Sequence, residues 1–238
     1  MPENKLIVYV DGSKDGTVEW LAKKDIGFIY GKWKGLGTAT NAMVRQADSE
    51  FLCMVGDDTV FSPNWDKNFL FWAREDKIIC PVLIEPPGMI RGRRTLGTAE
   101  TAFGSEPKEF NEEAFVEYVK RISKHELVPS RWGAYFLTRE LFYKIGEFDE
   151  RFNPWGLFET DFFMRLMTKC PEVKVRQALD VIVYHFVSGS NIFSEWETLG
   201  PILDEKFKEK WGMSTGKASQ KIDKWVGFRQ EEKIDKDV

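Results

Sequence analysis

The chain has 238 residues, 42% of them hydrophobic and 14% aromatic, enough apolar material for one substantial core. A net charge of -4 with 30% charged residues excludes a general nucleic-acid surface, so a phosphate-bearing ligand needs a local positive site or a metal. No apolar run approaches the ~20 residues that span a bilayer, and no N-terminal stretch resembles a secretion signal. These features predict a cytoplasmic chain with no transmembrane segment, in which Cys53, Cys80 and Cys170 are buried free thiols.

Residues 6–10 are a short apolar, β-branched run that Asp11, Gly12 and Ser13 close. Residues 17–24 then have helical spacing, with Asp15 or Ser13 available as N-cap. A second strand is expected at 26–30 and, after the turn at 35–37, a helix at 38–47. Residues 51–55 read as a third strand running into Gly56-Asp57-Asp58, followed by a helix at 65–73 and a strand at 77–82. Strands alternating with helices predict an α/β fold with a mostly parallel sheet covered on both faces. Ligands collect beyond the carboxyl ends of such strands. Two of those ends carry acidic turns, Asp11 and Asp57-Asp58.

The second half is less regular. Residues 85–107 form a long Gly-, Pro- and Arg-rich loop in which Arg91, Arg93 and Arg94 either close over an anion or sit in solvent. Helices are expected at 111–124, capped by Asn111, at 139–145 and at 159–168. Strands are expected at 133–137, 173–175 and 181–184, the last leading to His185. From residue 214 onward the composition is polar and predicts a frayed tail. There are no internal repeats.

Two adjacent carboxylates at the end of a buried strand are costly unless a cation neutralises them. Carboxylate oxygens suit magnesium or manganese, so Asp57 and Asp58 are either metal ligands or turn and capping residues. Asp11-Gly12-Ser13 is either a ligand turn or an ordinary strand-to-helix connection. Glu159 and Asp161 cannot share one helix face cleanly, yet at a helix start either can reach a cleft and take a proton from a hydroxyl. The alternative is charge that complements the helix dipole. His185 is either structural or a metal ligand.

Taken in order, the segments VDGSKDGT, GLGTATNAMVRQADSEFLCMVGDDTVFSPNW, WGAYFLTRELFYKIGEFDERFNPWGLFETDFFMRL and VIVYHF resemble the family-two glycosyltransferases with the GT-A fold, over roughly residues 5–186. The Trp155-Gly156-x-x-Glu159-x-Asp161 pattern is also similar to that of galactosyl- and N-acetylgalactosaminyl-transferase domains.

The resemblance implies a three-layer, Rossmann-like sandwich. A nucleotide-binding part would span about 1–83, an acceptor-binding part about 84–213, and a charged tail 214–238. It implies a metal-dependent, inverting transfer of a sugar from a nucleotide-diphosphate donor to a glycan, lipid-linked or protein acceptor, with Mn or Mg as cofactor and the oligomeric state open. It places Asp11, Gly12, Ser13, Asn41 and Asp57 on the donor. Asp58, Asp57 and His185 fall on the metal, Glu159 and Asp161 at the catalytic base, and Trp132, Gly133 and Trp155 on the acceptor.

The chain departs from the pattern in four ways. Only Met1 to Asn4 stand before the first strand, where the family normally has a strand-helix unit, Gly56 replaces the first acid of the usual triplet, Thr40 replaces an arginine, and Glu159 replaces an aspartate. Two other readings compete: a non-catalytic nucleotide-sugar-binding or scaffold protein, and a sugar nucleotidyltransferase. The latter needs an early glycine-rich basic loop, of which Gly35-Leu36-Gly37-Thr38 is a faint echo.

Overall fold

The computed structural model describes residues 4–32, 34–87, 99–131, 134–154, 156–186 and 192–227. β1 (Val8–Asp11) ends where Gly12 adopts a left-handed φ of 76°. In α1 (Thr17–Lys23) the N-cap residue is Gly16, in place of the expected Asp15 or Ser13. Asp15 still serves the helix start from one residue further out, accepting hydrogen bonds from the Thr17 N–H and hydroxyl. β2 (Phe28–Gly31) pairs parallel with β1, Val8 facing Phe28 and Asp11 facing Gly31. α2 (Leu36–Gln46), β3 (Phe51–Met54), the three-residue β4 (Thr59–Phe61) and α3 (Trp65–Trp72) follow. β5 (Lys77–Glu85) outruns its expected end because the apolar run continues to Ile84.

Next come β6 (Ala99–Glu100) and α4 (Glu112–Ile122), where Asn111 caps the helix by accepting the Ala114 N–H at 3.0 Å. β7 (Leu127–Pro129), β8 (Tyr135–Thr138), α5 (Arg139–Ile145) and α6 (Leu157–Lys169) lead to β9 (Lys174–His185). The chain closes with α7 (Ile192–Trp211) and α8 (Thr215–Val226).

β9 is one long strand where two short ones are expected. Opposite β5 its register jumps, from Pro81 facing Ala178 to Val82 facing Ile182. Pro81 has no N–H to give the ladder, so a bulge is tolerated there. The displaced Leu179 pairs instead with Glu126 and Lys124, through backbone bonds of 3.0 and 3.2 Å.

By contact density the chain forms two compact units. One is built from residues up to 50, 139–170 and 199–219, the other from 51–138, 171–198 and the residues from 220 onward. The first contains the β1–β2 pair and packs on phenylalanines. The Phe148 ring lies 4.8 Å from Phe158, 5.1 Å from Phe162 and 5.4 Å from Phe142. In the same unit Gly35, at φ 91°, packs so that a Cβ would come within 2.5 Å of Pro154 Cα. Both the backbone angle and the contact demand glycine. Gly35→Ala should therefore cost at least about 1–3 kcal/mol, read as a lower melting temperature by circular dichroism.

The second unit holds the seven-stranded sheet, ordered β3-β8-β5-β9-β4, with β6 beside β5 and β7 beside β9. Among the described residues of this sheet, only β5–β9 and β5–β6 pair in parallel and the other pairings are antiparallel. The sheet is thus mixed, where a mostly parallel one is expected. β4 and β7 have three residues each, too short to leave a sequence pattern, and both add antiparallel edges. Val82, Ile84, Phe103, Phe115, Ile182 and Tyr184 form one core cluster of this unit, and Phe69, Ile79, Phe136 and Val181 belong to another.

Where a frayed tail is expected from residue 214, residues 215–226 form α8, and residues 228–238 lie outside the described residues. Ala218, Ile222 and Val226 are buried at four-residue spacing, one stripe of a helix whose other residues, Gly216 and the partly buried Trp225 apart, are charged or polar. Arg131, only 2% exposed, pairs with Asp223 of this helix at 2.6 Å. Cys80 and Cys170 are buried as expected, but Cys53 is exposed. No described helix is long and apolar enough to cross a membrane.

Candidate functional site

The second unit brings together Asp58, Glu85 and His185. The sheet explains why. β9 lies between β5 and β4, Ile84 faces Tyr184 in the parallel register, and Thr59 faces His185 in the antiparallel one. Glu85 therefore ends its strand beside His185, and Asp58 sits one residue before β4, its carbonyl accepting the Phe186 N–H at 2.9 Å. His185 Nδ1 lies 2.9 Å from Glu85 Oε1, and Nε2 lies 3.3 Å from Asp58 Oδ2. The group stands at the carboxyl ends of two parallel strands, where α/β sheets bind ligands.

The electrostatics follow from the contacts. The hydrogen bond with His185 holds the Asp58 carboxyl below the usual carboxylate range, against the opposing effect of burial. For His185 burial disfavours the charged ring, but the two carboxylates outweigh it and raise the pKa to about 9. The other Asp58 oxygen, Oδ1, lies 2.7 Å from where a Cβ on Gly56 would be. A side chain at position 56 would make Asp58 shift its carboxylate. Asp57 is exposed.

Among the described residues no three or more metal-ligating side chains converge on a point by themselves. The donor chemistry nevertheless fits a hard divalent ion. Adjacent corners of an octahedron with bonds of about 2.1 Å lie about 3.0 Å apart. The 3.3 Å between Asp58 Oδ2 and His185 Nε2 is close to that spacing. An ion taking Nε2 displaces its proton and leaves Nδ1–H on Glu85. Two protein ligands leave the remaining positions to substrate phosphate and water, the usual pattern for magnesium.

In the first unit, both oxygens of Asp11 accept backbone N–H groups at 2.9 Å, one from Lys34 and one from Gly35. Asp11 thereby fixes the loop that opens α2, with the left-handed Gly12 and the exposed Ser13 beside it. Asn41 is only 1% exposed. Its amide donates to Phe148 O at 2.9 Å and Glu150 Oε1 at 3.1 Å, and its carbonyl accepts the Phe148 N–H at 2.9 Å. With its hydrogen-bonding capacity turned inward, Asn41 pins the segment after α5 to α2. That corrects the donor-binding expectation for this residue.

Glu159 and Asp161 separate as helix geometry demands. Two positions along a helix turn the side chain through about 200°. Glu159 lies half-buried in the first turn of α6, while Asp161 is fully buried. Asp161 accepts from Arg165 Nε at 2.8 Å, Trp211 Nε1 at 2.8 Å and Lys210 Nζ at 2.6 Å. Arg165 in turn donates to the carbonyls of Ile145, Gly146 and Glu147 at the end of α5. Enclosed in this way, Asp161 anchors α6 to the end of α7 and, through Arg165, to the end of α5. Lys210 also reaches Asp149 at 2.8 Å. Burial works to raise the Asp149 pKa, but its bonds from Arg151 and Lys210 hold it far below the usual range.

Trp132, Gly133 and Trp155, expected at the acceptor, and the basic loop at Arg91, Arg93 and Arg94 lie outside the described residues. Sequence reasoning missed Glu85, although an acid closing an apolar run is the same pattern that singled out Asp57 and Asp58. A cavity of about 320 Å³ in the second unit, lined by Val60, Ser62, Trp65, Glu112 and Phe115 among others, contains none of the residues above.

The fold is that of the GT-A glycosyltransferases. A structure of GalNAc-T7 with UDP, GalNAc and Mn2+ aligns with TM-score 0.51 at 14% identity, over 94% of this chain and 49% of that one. The mannosyltransferase PcManGT from Pyrobaculum calidifontis, in complex with GDP-Man and Mn2+, aligns with TM-score 0.51 at 16% identity, over 95% of this chain and 61% of that one. The chain thus spans about half the length of the first and under two thirds of the second. The family model for glycosyl transferase family 2 matches residues 2–146, more than half of the sequence, and the chain belongs to that family. No curated protein matches the sequence.

Proposed function

We propose that the chain transfers a sugar from a nucleotide-diphosphate donor to an acceptor hydroxyl, with inversion, using a divalent cation held by Asp58 and His185. The observation that carries this reading is the Asp58–His185–Glu85 arrangement at the strand ends of a family 2 chain. The two structural neighbours support the cofactor and the donor class, since each was solved with Mn2+ and a nucleotide or nucleotide sugar.

Asp11, Gly12 and Ser13, at the end of β1, and the exposed Asp57 meet the nucleotide. Asp58 and His185 hold the ion, which when bound offsets the charge that develops on the departing diphosphate. Glu159 takes the proton of the attacking hydroxyl in a single displacement, so the anomeric configuration inverts. Trp132, Gly133 and Trp155, outside the described residues, are the residues we assign to the acceptor.

The test is donor hydrolysis across a panel of UDP- and GDP-sugars, with Mn2+ or with a chelator. The parent should turn over only with metal, and Asp58→Ala should lose that turnover by at least about 100-fold while its melting curve shows a folded protein. Activity that survives both the chelator and Asp58→Ala would reject the metal role. Absence of any nucleotide binding by calorimetry would favour the scaffold reading.

A further inference from the structure

We infer that Glu85 is the positioning residue that orients His185 for the cation, fixing which ring nitrogen faces it. This deepens the function proposed above and rests on it.

An imidazole presents a lone pair to a metal from one nitrogen only when the other nitrogen carries the hydrogen, and a fixed acceptor for that hydrogen decides the tautomer. Glu85 Oε1 is such an acceptor, 2.9 Å from Nδ1, so that when an ion displaces the Nε2 proton the lone pair forms at the nitrogen facing Asp58. The side chains are graded in depth: 31% exposed for His185, 22% for Asp58 and 13% for Glu85. The two ligands thus meet solvent more than Glu85 does, as a supporting group behind the ring should require.

The backbone holds Glu85 in place from both sides. It ends β5 beside β9, its carbonyl accepts the Thr101 N–H at 3.1 Å, and it faces Glu100 in the β5–β6 register. That pairing fixes the point from which the side chain leaves the sheet. The carboxylate also matches the partial positive charge an imidazole acquires on ligation, strengthening Nε2 as a donor.

The experiment uses Mn2+ alone, titrated into the full chain, with free Mn2+ read by electron paramagnetic resonance. Glu85→Ala should weaken Mn2+ binding about 10- to 100-fold. Glu85→Gln keeps an oxygen acceptor for Nδ1–H but loses the charge, and should fall between parent and alanine variant. Donor hydrolysis by both variants should recover toward the parental kcat at saturating Mn2+, the deficit appearing as a raised metal requirement. Melting curves establish that each variant is folded; should Glu85→Ala not fold, the Gln variant alone carries the comparison.

A merely structural Glu85 would lower the melting temperature and leave the Mn2+ dissociation constant within about threefold of the parent. That result overturns the inference while leaving the metal site intact. So does a rate deficit that saturating Mn2+ does not restore. A parent chain that binds no Mn2+, with or without UDP or GDP, instead overturns the metal site itself and this inference with it.

Discussion

Glu159→Gln should slow sugar transfer by roughly 10²- to 10⁴-fold while leaving the donor KM within a few-fold of the parent. The substitution keeps the shape and removes only the ability to accept a proton. Glu159 lies in the first turn of α6. Half-buried, it combines access with partial shelter from water. Steady-state rates with donor varied at saturating acceptor, then the reverse, separate loss of kcat from loss of binding. An unchanged kcat for Glu159→Gln would remove this residue from the chemistry.

How much of this was readable beforehand depended on the length scale of each pattern. The Asp57-Asp58 turn was legible because it interrupts a five-residue apolar run, and His185 because a strand leads straight into it. Glu85 was lost through a boundary error. With β5 ended at residue 82, the acid seemed to open a loop, and only the observed strand to Glu85 places it beside His185. β4 and β7 were too short to read, so the antiparallel character of the sheet was invisible.

The helix α8 was hidden for a different reason. Its buried stripe contains an alanine, an isoleucine and a valine among lysines, which lowers average hydropathy while preserving the i, i+4, i+8 spacing. Periodicity was the better guide there than composition. Asn41 shows the limit of resemblance. A motif position places a residue in a family pattern, but only packing shows that its amide is spent on Phe148 and Glu150.

The same separation of pattern from packing decides the second large effect. Asp161→Asn should destabilise the protein by about 3–5 kcal/mol, because it uncouples a buried carboxylate from Arg165 and Lys210 and leaves both cations underpaid in charge. At about 2–4 °C per kcal/mol for a chain of this size, the melting temperature should fall by roughly 6–20 °C. The loss reaches beyond one ion pair. Arg165 holds three carbonyls at the end of α5, and Trp211 and Lys210 tie the end of α7 to α6 through this one side chain. Trp211→Phe, which removes a single donor, should cost less, about 1–3 kcal/mol. Assayed well below its melting temperature, Asp161→Asn should keep kcat within several-fold of the parent, since Asp161 is enclosed in the interior. Were Asp161→Asn to melt like the parent and lose kcat by orders of magnitude, the buried residue would be the base and Glu159 its neighbour. Thermal melts and rates on the two single variants, measured side by side, make that choice.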